Sequence, residues 1–167
     1  GGVVPGLLTE QVQKILKFDL ERKVALFSPD IEVPLGPFLG IMAVAPDPAI
    51  GTVGSRAPGI FGGNMDLKRL VVGSTLYLPV FNPGALFYTG DAHAAQGDGE
   101  VSGNAIEASL TGTLQFIVHK GKGASMPAPF AEDAENFYVM GLDEDLDNAM
   151  RKSVENTVAF LQEHAGI

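Results

Sequence analysis

The stretch 34-PLGPFLGIMAVAPDP-48 carries the pattern on which the fold prediction rests. Its apolar run, Phe38 to Val44, is short and is bounded on both sides by Pro and Gly. Such a run is typical of a buried strand, and a turn of buried helix is the alternative that the pattern leaves open. Similar punctuation recurs along the chain, since 21 Gly and 11 Pro are spread through 167 residues without a fixed period. This distribution predicts many short elements joined by turns, which is typical of a β-rich protein.

Strand signals recur on both sides of this stretch. Apolar and polar side chains alternate across residues 16–33 in the manner of a half-exposed hairpin, while the glycine-rich segment 50–66 is predicted to be a loop. Further strands are predicted at residues 71–80, 85–88, 101–118 and 137–140.

The exception to the β pattern is the segment from Asp143 to His164. Apolar residues fall there every three or four positions on one face, acidic residues open the segment, and Gly166 follows it. All three features are helix signals, because acidic groups favour the positive end of the helix dipole and glycine ends a helix. The sequence therefore predicts a mainly β fold with one C-terminal α-helix.

The composition bounds the class of protein. A chain of 167 residues with 46% hydrophobic residues is long enough for one packed domain. A net charge of −9 without a basic patch excludes nucleic acid and anionic membranes as partners, and no apolar run approaches the ~20 residues that span a bilayer. The chain has no Cys, which excludes cysteine nucleophiles and thiolate metal sites and fits a reducing compartment. We therefore expect a cytoplasmic protein.

The densest polar cluster is 90-GDAHAAQGDGE-100. Asp91 and His93 are two residues apart, so on an extended backbone they point the same way, and a glycine-rich turn could bring Glu100 back to them. A carboxylate with an imidazole suits Zn²⁺ or a similar divalent ion, and a further carboxylate can take a proton from metal-bound water. The ordinary alternative is a set of turns, because Asp-Gly at 98–99 is a hairpin signal. The spacing of these residues, taken alone, favours turns over a metal site.

A second motif, 62-GGNMD-66, has a similar arrangement of polar residues. Asn64 and Asp66 are also two residues apart and lie beside glycines. If this loop meets residues 90–100, the two motifs offer four or five oxygen and nitrogen ligands to one ion. An Asx-turn before Leu67 is the alternative, and spacing favours it.

Five segments, taken together, resemble the acetamidase/formamidase family in their order and approximate spacing. They are PFLGIMAVAP (37–46), FGGNMD (61–66), LYLPV (76–80), GALFYTGDAHAAQGDGEVSGNAIE (84–107) and GLDEDLDNAMRKS (141–153). The resemblance implies a β-sandwich-like fold and a metal-dependent hydrolase that releases ammonia from short aliphatic amides such as formamide and acetamide. It also implies a homo-oligomer.

The resemblance further implies that residues 1–167 form a single β-rich catalytic region of a longer amidase. Family members are nearly twice as long, and this chain begins with Gly1 and not with Met. We therefore expect a fragment or a processed piece, with companion segments of the same amidase as partners.

The resemblance places Asp91, His93 and Glu100 in the most characteristic family motif and Asn64 and Asp66 in the next. We expect Asp91 and His93 to hold the metal with help from Asn64 or Asp66, with Zn²⁺ as the first choice and Ca²⁺ as the second, and Glu100 to act as general base. Two alternatives stay open. One is a catalytically inert β module with a structural or ligand-binding Ca²⁺ site, and the other is a metal-free β domain whose polar cluster only makes turns.

Overall fold

The computed structural model describes Gly6, Glu10 and residues 12–166. Within them the chain forms ten short strands and one long helix. The elements are β1 (Lys17–Asp19), β2 (Val24–Ser28), β3 (Ile31–Pro34), β4 (Phe38–Ala43), β5 (Gly62–Asn64), β6 (Thr75–Tyr77), β7 (Tyr88–Ala95), β8 (Ile106–Glu107), β9 (Phe130–Glu132), β10 (Phe137–Val139) and α1 (Leu146–Ala165). The predicted fold class, mainly β with one C-terminal helix, is confirmed.

The strands form three antiparallel sheets, ordered β1-β2-β3, β10-β9-β6 and β5-β4-β7-β8. The four-stranded sheet is built on the apolar run predicted to be a buried strand, which becomes β4. Phe38 and Ala43 at the two ends of β4 are buried, and Phe38 stands opposite His93 of β7. The sheet therefore places the two sequence motifs, 62–66 and 90–100, on the two sides of β4.

A small apolar core lies at the Ala43 end of β4, beside the start of the 62–66 motif. It consists of Ala43, Val44 and Phe61, with partly buried apolar side chains packed against them: Val53, Leu78, Phe81 and Ala85. Many other apolar side chains in the described part of the chain are exposed. At the other end of β4, Phe38 and, on β7, Ala94 and Ala95 are also buried, so apolar packing supports both ends of the sheet.

Several predicted strands are shorter in the structure. The hairpin at 16–33 is confirmed as β1–β3, but only Thr75–Tyr77 of the segment 71–80 pairs. Ala85 and Leu86 have left-handed backbone conformations, with φ of 57° and 54°, because the turn at 82–84 continues through them. The strand predicted at 85–88 therefore begins at Tyr88. The strand predicted at 137–140 is Phe137–Val139.

The prediction of strand throughout 101–118 is wrong, since only Ile106–Glu107 pairs. Residues 100–103 form a turn closed by a bond of 2.6 Å from the Gly103 nitrogen to the Glu100 carbonyl. Segment 109–119, which follows β8, pairs with no strand among the described residues, and its alternating side chains are exposed. A strand needs a partner to satisfy its backbone groups, so a β pattern without one does not make a sheet.

The predicted helix is confirmed, with a later start than Asp143. The carboxylate of Asp145 accepts a hydrogen bond of 2.9 Å from the Asn148 nitrogen and so caps α1, which begins at Leu146. Gly166 ends the helix with φ of 64°, as the sequence predicted. One apolar row of α1 is exposed: Leu146, Met150, Val154, Val158 and Leu161. In the described part of the chain, no helix has both the length and the hydropathy needed to cross a bilayer.

Candidate metal centre

His93 is the centre of the candidate site. Its side chain is only 1% exposed and packs edge-on against Phe38, with ring centroids 5.2 Å apart. Asp91, from the same strand, places Oδ1 3.5 Å from His93 Nε2. The backbone at Asp91 is not extended, however, because its φ is 54°. The predicted convergence of these two side chains is therefore found, but it depends on a bend in β7 and not on regular strand alternation.

The loop that follows β5 brings the second motif to the same place. The nitrogens of Met65 and Asp66 donate to the Gly40 carbonyl at 3.1 and 3.2 Å, which docks the loop on β4. Asp66 Oδ1 then lies 3.9 Å from His93 Nδ1. Asn64 Nδ2 donates to Asp66 Oδ2 at 3.0 Å, so the Asn64 amide contacts the carboxylate of Asp66. The structure thus brings the two motifs together.

Glu100 and Asp98 share a short turn but face different surroundings. Glu100 has φ of 44° and approaches Asp66 and His93, as the glycine-rich turn predicted. Asp98 is 90% exposed and forms an ion pair of 2.7 Å with Lys68 outside the cluster. Asp66, Asp91 and Glu100 all have left-handed backbone, a costly conformation for residues other than glycine that is concentrated at functional sites.

Sequence reasoning missed Glu107 as a site residue. Its Oε2 lies 3.3 Å from His93 Nε2, because Glu107 of β8 pairs directly with His93 of β7. In the sequence Glu107 is only one polar position in an alternating strand. The pairing of β7 with β8 is the feature that would have revealed it.

Gln96 lies within the polar cluster 90–100, but the sequence predicted no role for it. Its Oε1 lies 2.8 Å from His93 Nδ1, and its Nε2 donates to the Asp66 carbonyl at 2.7 Å. Gln96 therefore contacts the central imidazole and the loop of the second motif at once. Its place three residues after His93 was a signal, but only the bend of the chain after β7 shows which atoms meet.

The electrostatics of Asp66 favour a cation. Burial, together with the neighbouring carboxylates of Glu100 and Asp91, raises the pKa of Asp66 to about 6. Asp66 Oδ1 is also buried with no hydrogen-bond partner in the part of the chain that the structure describes. A cation between these carboxylates would supply the missing partner and offset their repulsion.

Glycine at position 40 lets these carboxylates converge. Gly40 of β4 stands opposite Asp91, since its two neighbours pair with the two neighbours of Asp91. A Cβ at Gly40 would lie 2.9 Å from Asp91 Oδ2 and closer still to Asp66 Oδ1, so only glycine lets both carboxylates converge here.

Two groups of donors could hold a metal, and they share His93. The donor atoms in each group all lie within 4.8 Å of one another: Asp66, Asp91 and His93 in one group, and His93, Glu100 and Glu107 in the other. One imidazole nitrogen with several carboxylate oxygens is a donor set that divalent ions accept. The residues present therefore fit the divalent metal ion predicted from the sequence.

Comparison with known proteins identifies the family. A model of the Acetamidase/Formamidase family matches residues 47–165, which is well over half of the chain. The chain belongs to the acetamidase/formamidase family. The resemblance stated from the sequence motifs is thereby confirmed.

Relatives within the acetamidase/formamidase family support this assignment. An acetamidase of Mycolicibacterium smegmatis is 45% identical over 56 residues, which cover 32% of this chain and 14% of that protein. A formamidase of Methylophilus methylotrophus is 46% identical over 41 residues, covering 25% of this chain and 10% of the relative.

Solved acetamidases share the fold. The acetamidase from Yersinia enterocolitica matches 100% of this chain with 29% identity and a TM-score of 0.78, over 51% of its own length. The acetamidase from Bacillus halodurans matches 88% of this chain with 29% identity and a TM-score of 0.71, over 48% of its own length. The chain thus spans about half the length of the solved acetamidases it matches.

Proposed function

We propose that this chain carries the catalytic centre of an amidohydrolase that uses a divalent metal ion to hydrolyse short aliphatic amides, such as formamide and acetamide, to the carboxylic acid and ammonia. The single observation that carries the proposal is the buried imidazole of His93, which has carboxylate oxygens within 3.9 Å of one ring nitrogen and within 3.5 Å of the other. In this proposal residues 1–167 act as one β-rich catalytic region.

His93, Asp91 and Asp66 are the residues proposed to hold the ion. Zn²⁺ is the first choice because it binds imidazole nitrogen together with carboxylate oxygen, and Ca²⁺ is the second because all the other donors are oxygens. Asn64 has the role of orienting Asp66 through its hydrogen bond to Oδ2. Glu107 is a further candidate ligand on the Nε2 side of His93. When bound, the ion would polarise the amide carbonyl and lower the pKa of a water molecule.

Glu100 is proposed as the general base. Its carboxylate lies beside Asp66 and near His93, where a water held by the cluster could attack the amide carbon. It takes a proton from that water and passes it to the amide nitrogen as the C–N bond breaks. The water oxygen then belongs to the new carboxylic acid, and the transferred proton leaves with the ammonia.

The proposed enzyme is an assembly. The row of apolar side chains along α1 and three consecutive apolar side chains, those of Phe116, Ile117 and Val118, are exposed in this chain. Exposed apolar patches mark association sites. The solved acetamidases, of which this chain matches about half, have further chain that could cover such surfaces. We therefore propose a homo-oligomer and, as partners, companion segments of the same amidase.

The test is ammonia release from formamide and acetamide by the purified protein, with and without a chelator, followed by readdition of Zn²⁺ or Ca²⁺. Three variants accompany it: His93→Ala, Glu100→Gln and, as matched control from the same turn, Asp98→Asn. We expect chelator-sensitive release, loss of metal in His93→Ala, and retained metal in Glu100→Gln with turnover lowered by a factor on the order of 10² or more. Asp98→Asn should match the unaltered protein, since the exposed Asp98 carboxylate pairs with Lys68 outside the cluster.

The other outcomes are equally informative. Release that a chelator does not change would reject a metal-dependent mechanism, and an unchanged rate in Glu100→Gln would remove Glu100 as the base. Stoichiometric metal that raises the melting temperature, without ammonia release even when companion segments are added, would favour the inert Ca²⁺ module.

A further inference from the structure

Gln96 makes two hydrogen bonds that fix the direction of its own amide. Its neighbour at 2.7 Å is the backbone carbonyl of Asp66, which can only accept. The amide NH₂ must therefore face that carbonyl, and Oε1 must face the other neighbour, His93 Nδ1, at 2.8 Å. The orientation of the Gln96 side chain thus follows from hydrogen-bond chemistry.

This orientation determines where the proton of the imidazole sits. Oε1 of Gln96 is an acceptor, so His93 Nδ1 must be the donor and carry hydrogen. Asp66 Oδ1 is too distant, at 3.9 Å, to take over this bond. In the neutral ring, the lone pair then belongs to Nε2, the nitrogen that faces Asp91 at 3.5 Å and Glu107 at 3.3 Å.

We infer that Gln96 is a positioning residue, which holds His93 in the Nδ1–H tautomer so that Nε2, the ring nitrogen that faces Asp91, binds the metal ion. The inference rests on the proposed function for the identity of the ion as a divalent metal. A metal-binding imidazole is commonly held by a hydrogen bond from its other ring nitrogen, which fixes both its tautomer and its orientation. Here that bond also joins the strand of His93 to the loop of Asp66, because one amide serves both.

Two substitutions that keep a side chain of similar length separate the effect on the His93 tautomer from the hydrogen bond to Asp66. Gln96→Met removes both hydrogen bonds, whereas Gln96→Glu removes the donation to Asp66 but keeps an acceptor for Nδ1. The first readout is the ¹⁵N and ¹H correlation spectrum of the His93 ring in metal-free protein, at a pH high enough for a neutral imidazole. The second readout is Zn²⁺ affinity, measured by competition with a chromophoric chelator.

We expect the unaltered protein and Gln96→Glu to show hydrogen on Nδ1, and Gln96→Met to shift toward hydrogen on Nε2, the form that an unconstrained imidazole favours in water. Zn²⁺ affinity should fall about 10- to 100-fold in Gln96→Met. The fall should be absent in Gln96→Glu, where the acceptor is restored. Near-identical circular dichroism of the three proteins would show that the fold is retained.

The inference is overturned if Gln96→Met keeps hydrogen on Nδ1, or if the unaltered protein carries it on Nε2. A loss of affinity that is equal in Gln96→Met and Gln96→Glu would assign Gln96 to the Asp66 link only, and would also reject the tautomer role. Failure of the proposed function looks different. In that case the ring spectrum still reports the Nδ1–H tautomer, but the protein binds no Zn²⁺ and releases no ammonia.

Discussion

Replacement of Gly40 by Ala should damage the metal centre while leaving most of the sheet intact. The added Cβ would lie 2.9 Å from Asp91 Oδ2, 3.0 Å from the Asp91 carbonyl oxygen, and closer still to Asp66 Oδ1. Ordinary van der Waals contact begins at about 3.4 Å. The Asp91 carboxylate oxygen must therefore retreat by about 0.5 Å, and the Asp66 oxygen by more.

That displacement is large compared with the variation in ligand distance that a metal site tolerates. Ligand distances in a working site vary by only about 0.2 Å, so both carboxylates would leave their positions. We expect the affinity for Zn²⁺ to fall by a factor on the order of 10 to 100, or by more if both ligands are lost. Overpacking against the backbone of β7 should also lower the free energy of unfolding by about 1–3 kcal/mol.

The assay is chelator competition for Zn²⁺ together with thermal unfolding of the metal-free protein. The matched control is Gly90→Ala, on β7 of the same sheet, because a Cβ at Gly90 would meet nothing within 4 Å. Gly90→Ala should keep Zn²⁺ affinity near that of the unaltered protein. If Gly40→Ala binds Zn²⁺ as tightly as Gly90→Ala does, the ion is not held between Asp66 and Asp91, and the reasoning is refuted.

Two further predictions concern stability away from the site. Gly141→Ala should lower the free energy of unfolding by about 1–3 kcal/mol, measured by denaturant titration, because its Cβ would overlap the Ala149 carbonyl and the Ser153 nitrogen of α1, which are backbone atoms. Gly112→Ala, whose Cβ would meet only a side chain at 3.7 Å, should cost less, and an equal loss would contradict the argument. The Tyr138 hydroxyl, with backbone N–H groups of residues 135 and 136, holds the pKa of Asp133 down at about 2. Since a depressed carboxyl pKa stabilises the folded state above the unfolded pKa of about 4, the stability advantage over Asp133→Asn should be full near pH 6 and vanish as the pH falls toward 2. An advantage that does not change with pH would argue against this assignment.

Features that depend on neighbours in the chain were predictable. The apolar run bounded by Pro and Gly became β4, and the capped periodic segment became α1 between Asp145 and Gly166. Both follow from local rules, since strand burial and helix capping are expressed in a few consecutive residues. The motifs at 62–66 and 90–100 indicated the family for the same reason, because each is a short contiguous stretch.

Features that depend on pairing between distant segments were not predictable. Segment 109–119 has the alternation of a strand, yet it pairs with no described residue, because a strand forms only where another backbone accepts its hydrogen bonds. Glu107 lies in a segment with the same alternating pattern, and the pairing of β8 with β7 places its Oε2 3.3 Å from His93 Nε2. Sequence pattern does not distinguish these two cases.

The amino-acid sequence alone was sufficient to predict the fold class and the family. It also indicated four of the acidic and imidazole groups at the candidate centre: Asp66, Asp91, His93 and Glu100. Tertiary structure was required to show that they converge, that the missing side chain at Gly40 lets two carboxylates approach, and that Gln96 and Glu107 face opposite nitrogens of His93. The physical reason is that residue type and spacing determine which donors are available. Their distances depend on strand register and on the left-handed bends at Asp66, Asp91 and Glu100, which only the folded backbone defines.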